Sequence, residues 1–128
     1  EAQQIQNALQ SLPLDTLSLV VIENVGNLVC PAGFDLGQNV KVLVYSIPEG
    51  EDKPEKYPYI FQECPIIILN KMDLVAFTPF DLERVRDSIH GIHPSARILE
   101  VSCRSGDGLN LWLDFLRTSV AKGSLEIL

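Results

Sequence analysis

The sequence predicts an α/β fold built on a parallel β-sheet. Continuous apolar runs, such as PIIIL at 65–69, alternate along the chain with segments whose apolar residues recur at helical spacing. A strand covered by helices on both faces of a parallel sheet is apolar throughout, whereas a strand with one wet face alternates. Strands and helices in alternation therefore predict parallel neighbours joined by right-handed crossovers.

The first half of the chain supplies a helix, two strands and two loops. An amphipathic helix is predicted over 2–11, because Ile5, Ala8 and Leu9 share a face and Pro13 ends the pattern. Strands are predicted at 17–23 and 40–47, and later in the chain at 65–69 and 97–102. Three glycines and a proline predict a loop over 24–38, and the polar stretch before 65 has room for one short helix at 59–63.

Two later helices have boundary signals. The first is predicted to have Thr78 as its N-cap, Pro79 in its first position and Asp81 in a capping box, and to end near Gly91 and Pro94. Its buried face would contain Leu82, Val85 and Ile89. The last helix follows the turn CRSGDG, and its predicted buried face consists of Leu109, Trp112, Leu113, Leu116 and Val120.

Composition limits the classes of protein to consider. With 128 residues, 46% hydrophobic and 21% charged, the chain predicts one soluble globular domain. It has no apolar run of roughly 20 residues and no basic start followed by an apolar signal core, so we expect a cytoplasmic protein without a membrane partner. A net charge of −7 argues against nucleic acid as a partner. Three widely spaced cysteines without a Cys-x-x-Cys pair predict reduced thiols.

NKMD, at 70–73, follows the predicted strand at 65–69. Ligands of α/β proteins bind at the carboxyl ends of strands. A carboxylate such as that of Asp73 can accept hydrogen bonds from guanine N1–H and the 2-amino group, whereas adenine offers an acceptor at N1 and no 2-amino group. Lys71 could lie across the base and Asn70 could link neighbouring loops. The alternative is a strand that ends in a polar turn with this spelling by chance.

A second polar turn follows the predicted strand at 97–102, about thirty residues later. There, backbone N–H groups of Ser102, Cys103 and Arg104 could meet guanine O6. Two such loops at consecutive strand ends support a guanine site. The alternative is an ordinary strand-to-helix loop with Ser105 or Asp107 as the helix cap.

Three further positions are candidates for metal chemistry. Glu23 ends the predicted strand at 17–23, where phosphate-binding folds hold Mg²⁺ through water. Cys30 precedes a proline in a loop, and from the residues alone a buried structural cysteine is the simpler interpretation. His90 and His93 are better explained as residues at a helix end than as a chelating pair.

The stretches ENVGNLVCP (23–31), EGEDKPEKYP (49–58), NKMDL (70–74) and VSCRSGDGL (101–109) together resemble the hydrogenase nickel-incorporation GTPases, the HypB family. The resemblance covers nearly the whole chain, and the first two stretches are much more specific than the Asn-Lys-x-Asp motif. It implies a three-layer P-loop GTPase fold of the signal-recognition and MinD-like (SIMIBI) class.

The resemblance also implies roles for residues and partners. Glu23 matches the Walker B acid, Asn70, Lys71 and Asp73 the guanine motif, and 102–104 the second base loop. Cys30 matches the family's metal-binding cysteine, which replaces the structural interpretation by a Ni²⁺ or Zn²⁺ ligand. Implied cofactors are GTP or GDP with Mg²⁺. Implied partners are a second copy of the protein, a HypA-type nickel chaperone and the hydrogenase large subunit.

The family's phosphate loop is not found in this sequence, which has no Gly-Lys dipeptide and no adjacent Cys-His pair. The resemblance therefore predicts that residues 1–128 are the carboxy-terminal part of one GTPase domain, from the Walker B strand to the last helix. Without the strand that normally lies between 17–23 and 40–47, we expect these two strands either to pair directly or to promote association.

The function that follows is a GTP-binding metallochaperone that assists nickel insertion into [NiFe] hydrogenase. GTP hydrolysis is expected of a longer parent protein rather than of this chain. The alternatives are an interaction or dimerisation module without nucleotide turnover, and a small standalone guanine-binding protein.

Overall fold

The computed structural model describes residues 2–24 and 35–123. These residues form a parallel sheet in the order β1-β2-β3, in which β1 is Val42–Ser46, β2 is Ile66–Asn70 and β3 is Arg97–Glu100. The register pairs Ser46 with Asn70 and Leu69 with Glu100, so the carboxyl ends of the three strands lie at one edge. The parallel α/β sheet is confirmed, with strands somewhat shorter than predicted.

Helices cover both faces of this sheet. The α-helices are α1 (Ala2–Gln10), α2 (Lys53–Lys56), α3 (Pro58–Glu63), α4 (Leu82–Ile92) and α5 (Leu109–Lys122). Short 3₁₀ helices span Leu14–Thr16, Ile47–Glu49 and Met72–Phe77. Among the described residues, none of the helices combines the length and apolarity that a bilayer crossing requires.

The central strand β2 shows why its sequence is apolar at consecutive positions. Ile67 and Leu69 pack with α3 and α4 on one face, whereas Ile66 and Ile68 pack with Phe115 of α5 on the other. Ile66, Ile67 and Leu69 are fully buried. A strand with helices on both faces has no wet side, so the three-layer arrangement accounts for the PIIIL run.

Helix α4 begins three residues later than predicted. Thr78 is not its N-cap: it is the C-cap of the 3₁₀ helix Met72–Phe77, with its N–H donating to the Val75 carbonyl, and residues 79–81 are not helical. Phe80, the residue before the true N-cap, is buried with its ring beside that of Tyr45, and the helix begins only after this contact. Asp81 is the N-cap, and its side chain accepts a hydrogen bond from the Arg84 N–H. Gly91 lies within the helix, which ends at Ile92.

The buried face of α5 also differs from the prediction. Phe115 is buried, with Leu109, Trp112 and Leu116 partly buried around it. Leu113 and Val120 are exposed by 44% and 40%. The predicted stripe was therefore rotated about the helix axis, because several leucines on neighbouring faces leave the periodicity ambiguous.

The largest disagreement concerns residues 17–23, which form no strand. Their apolar side chains are exposed, up to 73% for Val21. A β-strand requires a hydrogen-bonding neighbour, and within residues 2–24 and 35–123 this segment has none. The expected direct pairing with β1 is therefore wrong, whereas association through these residues stays a prediction.

Candidate functional site

Two polar turns meet at the carboxyl edge of the sheet. The first follows β2 and starts the segment 70–81, which we call the base segment; the second is the turn 101–107 after β3. Their backbones are hydrogen-bonded, because the Val101 N–H donates to the Leu69 carbonyl at 2.8 Å and the Met72 N–H donates to the Val101 carbonyl at 3.1 Å. The two predicted base loops therefore do lie together.

A buried serine connects the two turns through its side chain. Ser102 is 1% exposed, and its hydroxyl donates to Asp73 Oδ1 at 2.8 Å and accepts from the Ser105 N–H at 3.2 Å. A carboxylate has two oxygens and about four acceptor positions. The bond from Ser102 thus orients the Asp73 carboxylate while leaving it acceptor capacity for a ligand.

Asn70 and Lys71 shape the start of the base segment. Asn70 Oδ1 accepts from the Lys71 N–H at 2.8 Å and makes a weaker contact with the Cys103 N–H at 3.4 Å. Lys71 has a left-handed backbone with φ 63°, a conformation that is uncommon for residues other than glycine. Its side chain is exposed. The left-handed residue turns the chain sharply between Asn70 and Asp73.

The turn 101–107 is held by its own hydrogen bonds. The Ser102 N–H donates to the Asp107 carbonyl and the Gly106 N–H to the Ser102 carbonyl, both at 2.8 Å. The Ser105 hydroxyl donates to Asp107 Oδ2 at 2.8 Å. Cys103 and Arg104 are exposed at its tip.

Gly108, rather than Ser105 or Asp107, occupies the N-cap position of α5, and no side chain caps this helix. Gly108 has φ +76°, and a Cβ at this position would lie 2.0 Å from the Glu100 carbonyl oxygen. The predicted alternative in which Ser105 or Asp107 caps this helix is therefore wrong in its choice of cap. Glycine is required here for the close approach of α5 to the end of β3.

Among the residues that the structure describes, the remaining predicted site residue is not brought to this edge by a strand. Glu23 belongs to the exposed segment 17–24 and does not end a strand, so its predicted strand-end position is wrong. Cys30 lies outside the described residues. His90 Nε2 is 3.1 Å from the Ala96 carbonyl and His93 Nδ1 is 3.0 Å from the Phe61 carbonyl, so separate backbone groups hold the two rings.

A third strand-end segment, residues 46–55, lies beside the base segment and was missed by sequence reasoning. The register places Ser46 next to Asn70. Tyr45 is fully buried and its hydroxyl donates to the Gly50 carbonyl. Burial, followed by the nearby Glu49 and Asp52 carboxylates, raises the pKa of Tyr45 above its ordinary value, so the hydroxyl stays a donor. Glu51 reaches across to the start of α4.

Comparisons with known proteins show which family the chain resembles. Residues 1–100 match the family model described as the CobW/HypB/UreG nucleotide-binding domain. The chain is 47% identical over 118 residues to the hydrogenase maturation factor HypB of Escherichia coli K12, covering 92% of this chain and 41% of that protein. It is 38% identical over 120 residues to the probable HypB of Methanocaldococcus jannaschii, covering 94% and 54%.

The chain is also similar to solved structures of HypB proteins. The HypB structure from Archaeoglobus fulgidus superposes with a TM-score of 0.84 at 40% identity, over 91% of this chain and 61% of that one. The structure of Helicobacter pylori HypB in complex with nickel superposes with a TM-score of 0.89 at 32% identity, over 98% and 60%. The chain thus spans roughly two fifths to three fifths of the length of these relatives.

Proposed function

This chain belongs to the CobW/HypB/UreG nucleotide-binding family, as a relative of the HypB hydrogenase maturation factors, and we propose that it carries the guanine-binding part of a GTP-binding metallochaperone. The metallochaperone assists nickel insertion into [NiFe] hydrogenase. The observation that carries the proposal is the hydrogen bond from the buried Ser102 hydroxyl to Asp73 Oδ1.

That bond matters because guanine and adenine differ in donors and acceptors at the edge that a carboxylate would meet. A carboxylate accepts from guanine N1–H and from the 2-amino group, whereas facing adenine N1 it would place acceptor against acceptor. Such discrimination requires a carboxylate of fixed orientation, since a free one could turn away to water. Ser102 supplies the fixed orientation.

The other residues at the edge have supporting roles in this proposal. Asn70 links the two turns through its contact with the Cys103 N–H, and its bond with the Lys71 N–H fixes its own side chain. Lys71, exposed beside Asp73, lays its methylene chain on the base, and the backbone N–H groups of Cys103 and Arg104 donate to O6, because the Ser102 N–H is already bonded to the Asp107 carbonyl. Together these groups surround the base edge from two consecutive strand ends.

The metal-related part of the proposal rests on donor chemistry. Glu23 is an exposed carboxylate, a hard donor that suits Mg²⁺. Cys30 offers a soft thiolate that suits Ni²⁺ or Zn²⁺, and a HypB relative has been solved in complex with nickel. We propose that the whole protein works as a homodimer, with a HypA-type nickel chaperone and the hydrogenase large subunit as partners.

A titration of the 128-residue chain with GDP, ADP and xanthosine diphosphate tests the base specificity. The three ligands share the diphosphate, so the ratios of their dissociation constants measure the contribution of the base to binding, even where the absolute affinity is low. We expect GDP to bind at least about 10-fold more tightly than ADP, because a hydrogen bond to a charged group contributes roughly 1.5–3 kcal/mol. Equal affinities would contradict the proposal and favour an interaction module without nucleotide specificity.

The variant Asp73→Asn provides a matched control in the same assay. Xanthine has a carbonyl where guanine has its 2-amino group, and the Asn amide can donate to that carbonyl while accepting from N1–H. The preference for GDP over xanthosine diphosphate should therefore reverse. A variant that loses affinity for every ligand without this reversal would exclude Asp73 from base contact.

A further inference from the structure

The amino end of α4 has half of a capping box within its own sequence. Asp81 is the N-cap, and its Oδ1 accepts from the Arg84 N–H at 3.0 Å. In a capping box the third helical residue is Glu or Gln, whose side chain accepts from the N-cap N–H. Here that third residue is Arg84, which has only donors. The second half of the box must come from elsewhere.

Glu51 supplies the missing acceptor from the segment that follows β1. Its Oε2 accepts from the Asp81 N–H at 2.8 Å, and its Oε1 accepts from Arg84 Nη1 at 3.1 Å. Arg84, which cannot complete the box itself, thus holds the residue that does. Both carboxylates lie at the amino end of the helix, where the helix dipole favours negative charge.

This bond anchors the far end of the base segment 70–81. The near end is held by the bond between Asp73 and Ser102, and the far end by the bond between Asp81 and Glu51. A second contact supports the far end, since the ring of Phe80 packs 6.2 Å from that of Tyr45, whose hydroxyl bonds to Gly50. All three strand-end segments are therefore connected through the segment that carries Asp73.

We propose that Glu51 is a positioning residue for guanine binding, which acts through the α4 cap to hold the base segment in place. The proposal rests on the proposed function, because it assigns a second anchor to the same Asp73. Glu51 does not contact the base; its effect is to restrict the chain between Asp73 and α4.

The bond to the backbone, rather than the ion pair, carries this role. The side chains of Arg84 and Glu51 are 55% and 31% exposed, and ion pairs between exposed groups contribute little. A carboxylate that accepts from a backbone N–H at a helix start makes a charge-assisted bond. Glu55 is a suitable control, because its carboxylate pairs with the Arg84 side chain at 3.5 Å and not with a backbone N–H of α4.

Amide hydrogen exchange on the nucleotide-free chain tests the anchor itself. In Glu51→Ala the Asp81 amide should exchange about 10-fold faster, whereas Glu55→Ala should leave it unchanged. Glu51→Gln, which keeps an acceptor oxygen, should retain most of the protection. Urea unfolding of each variant serves as the control for whether the fold persists. An Asp81 amide that stays protected in Glu51→Ala would overturn the proposal.

Titrations with GDP and ADP then test the positioning role. In Glu51→Ala the dissociation constant for GDP should rise about threefold, while that for ADP stays the same, because only the base-specific bond depends on Asp73. Adding Arg84→Glu to Glu51→Ala places an acid at the third helical position and rebuilds the box locally, so both the protection and the GDP affinity should return. Unchanged GDP affinity in the single variant, or no recovery in the double variant, would refute the role. A wild-type chain without preference for GDP would instead refute the proposed function.

Discussion

The runs PIIIL at 65–69 and LSLVVIE at 17–23 are both strand-like by sequence, yet the first forms a buried strand and the second does not. The first forms most of β2, where Ile66, Ile67 and Leu69 are fully buried. The second forms no strand, and its side chains at Leu19 and Val21 are exposed by 48% and 73%. Apolar content therefore does not distinguish the two segments.

The difference lies in their neighbours. β2 has a hydrogen-bonded strand at each edge and helices on each face. Residues 17–23 pair with no strand in the described parts of the chain. Backbone groups that lack a partner strand must stay in contact with water, which keeps the adjoining side chains exposed too. A buried strand is thus a property of an assembled sheet rather than of one sequence segment.

The strongest test of this comparison applies the same truncation to both segments. Ile67→Ala should lower the free energy of unfolding by about 2–5 kcal/mol, because it removes fully buried atoms and leaves a cavity between two layers. Ile22→Ala, at a position 38% exposed in an unpaired segment, should cost less than about 0.5 kcal/mol. Urea unfolding of both variants measures the difference. Similar losses would mean that residues 17–23 are packed in solution.

A second test concerns the close approach of α5 to the backbone at the end of β3. Gly108→Ala should be destabilising by about 1–3 kcal/mol more than Gly106→Ala. Both glycines have positive φ, but only at Gly108 would the added Cβ meet another group, the Glu100 carbonyl oxygen at 2.0 Å. The pair of variants therefore separates steric overlap from backbone strain. Equal unfolding free energies would show that α5 can move away from β3 without loss.

The smallest expected effect is a change in the pH dependence of the unfolding free energy, caused by a buried thiol. Burial raises the pKa of Cys64 to about 11, with the Lys41 charge opposing the shift. The unfolded thiol, with a pKa of about 8.5, ionises first as pH rises. The stabilisation due to Cys64 is therefore complete below about pH 8.5 and is lost as pH rises toward 11.

This pH dependence can be measured by urea unfolding of the wild type and Cys64→Ala at pH 8 and pH 9.5. The stability difference between them should narrow by about 1 kcal/mol at the higher pH. The same substitution at Cys103, whose thiol is exposed, should change the unfolding free energy by less than about 0.5 kcal/mol. A constant difference for Cys64 would mean that this thiol is accessible to water in the folded chain.

Much of the fold followed from local sequence signals. The strands at 40–47, 65–69 and 97–102 were predictable because continuous apolar runs between turn residues indicate buried parallel strands. The start of α4 was placed at Thr78 instead of Asp81, since both residues are good N-caps and sequence does not show which one has a helical neighbour. The segment 17–23 failed because its state depends on a partner strand, which its own residues do not specify.

The site shows the same division. The closeness of 70–73 and 102–104 was predictable, because parallel strands present their carboxyl ends at one edge. The bond between Ser102 and Asp73 depends on side-chain geometry that spacing does not give. The role of Glu51 had one available signal, namely Arg84 at a position where a capping box needs an acceptor. That signal indicates a missing acid without saying where in the chain it lies.

The shared cap of α4 has a consequence for how this protein can vary during evolution. Because the acid that completes the box lies at position 51, outside the helix, Glu51 cannot be replaced freely while position 84 lacks an acceptor. A lineage that acquires an acid at 84 no longer needs one at 51. An evolutionary intermediate with acids at both positions would place two like charges beside the same backbone N–H, that of Asp81. Helix α4 is consequently poorly suited to transfer into another protein. Without the segment that contains residue 51, its first turn would lack half of its capping box.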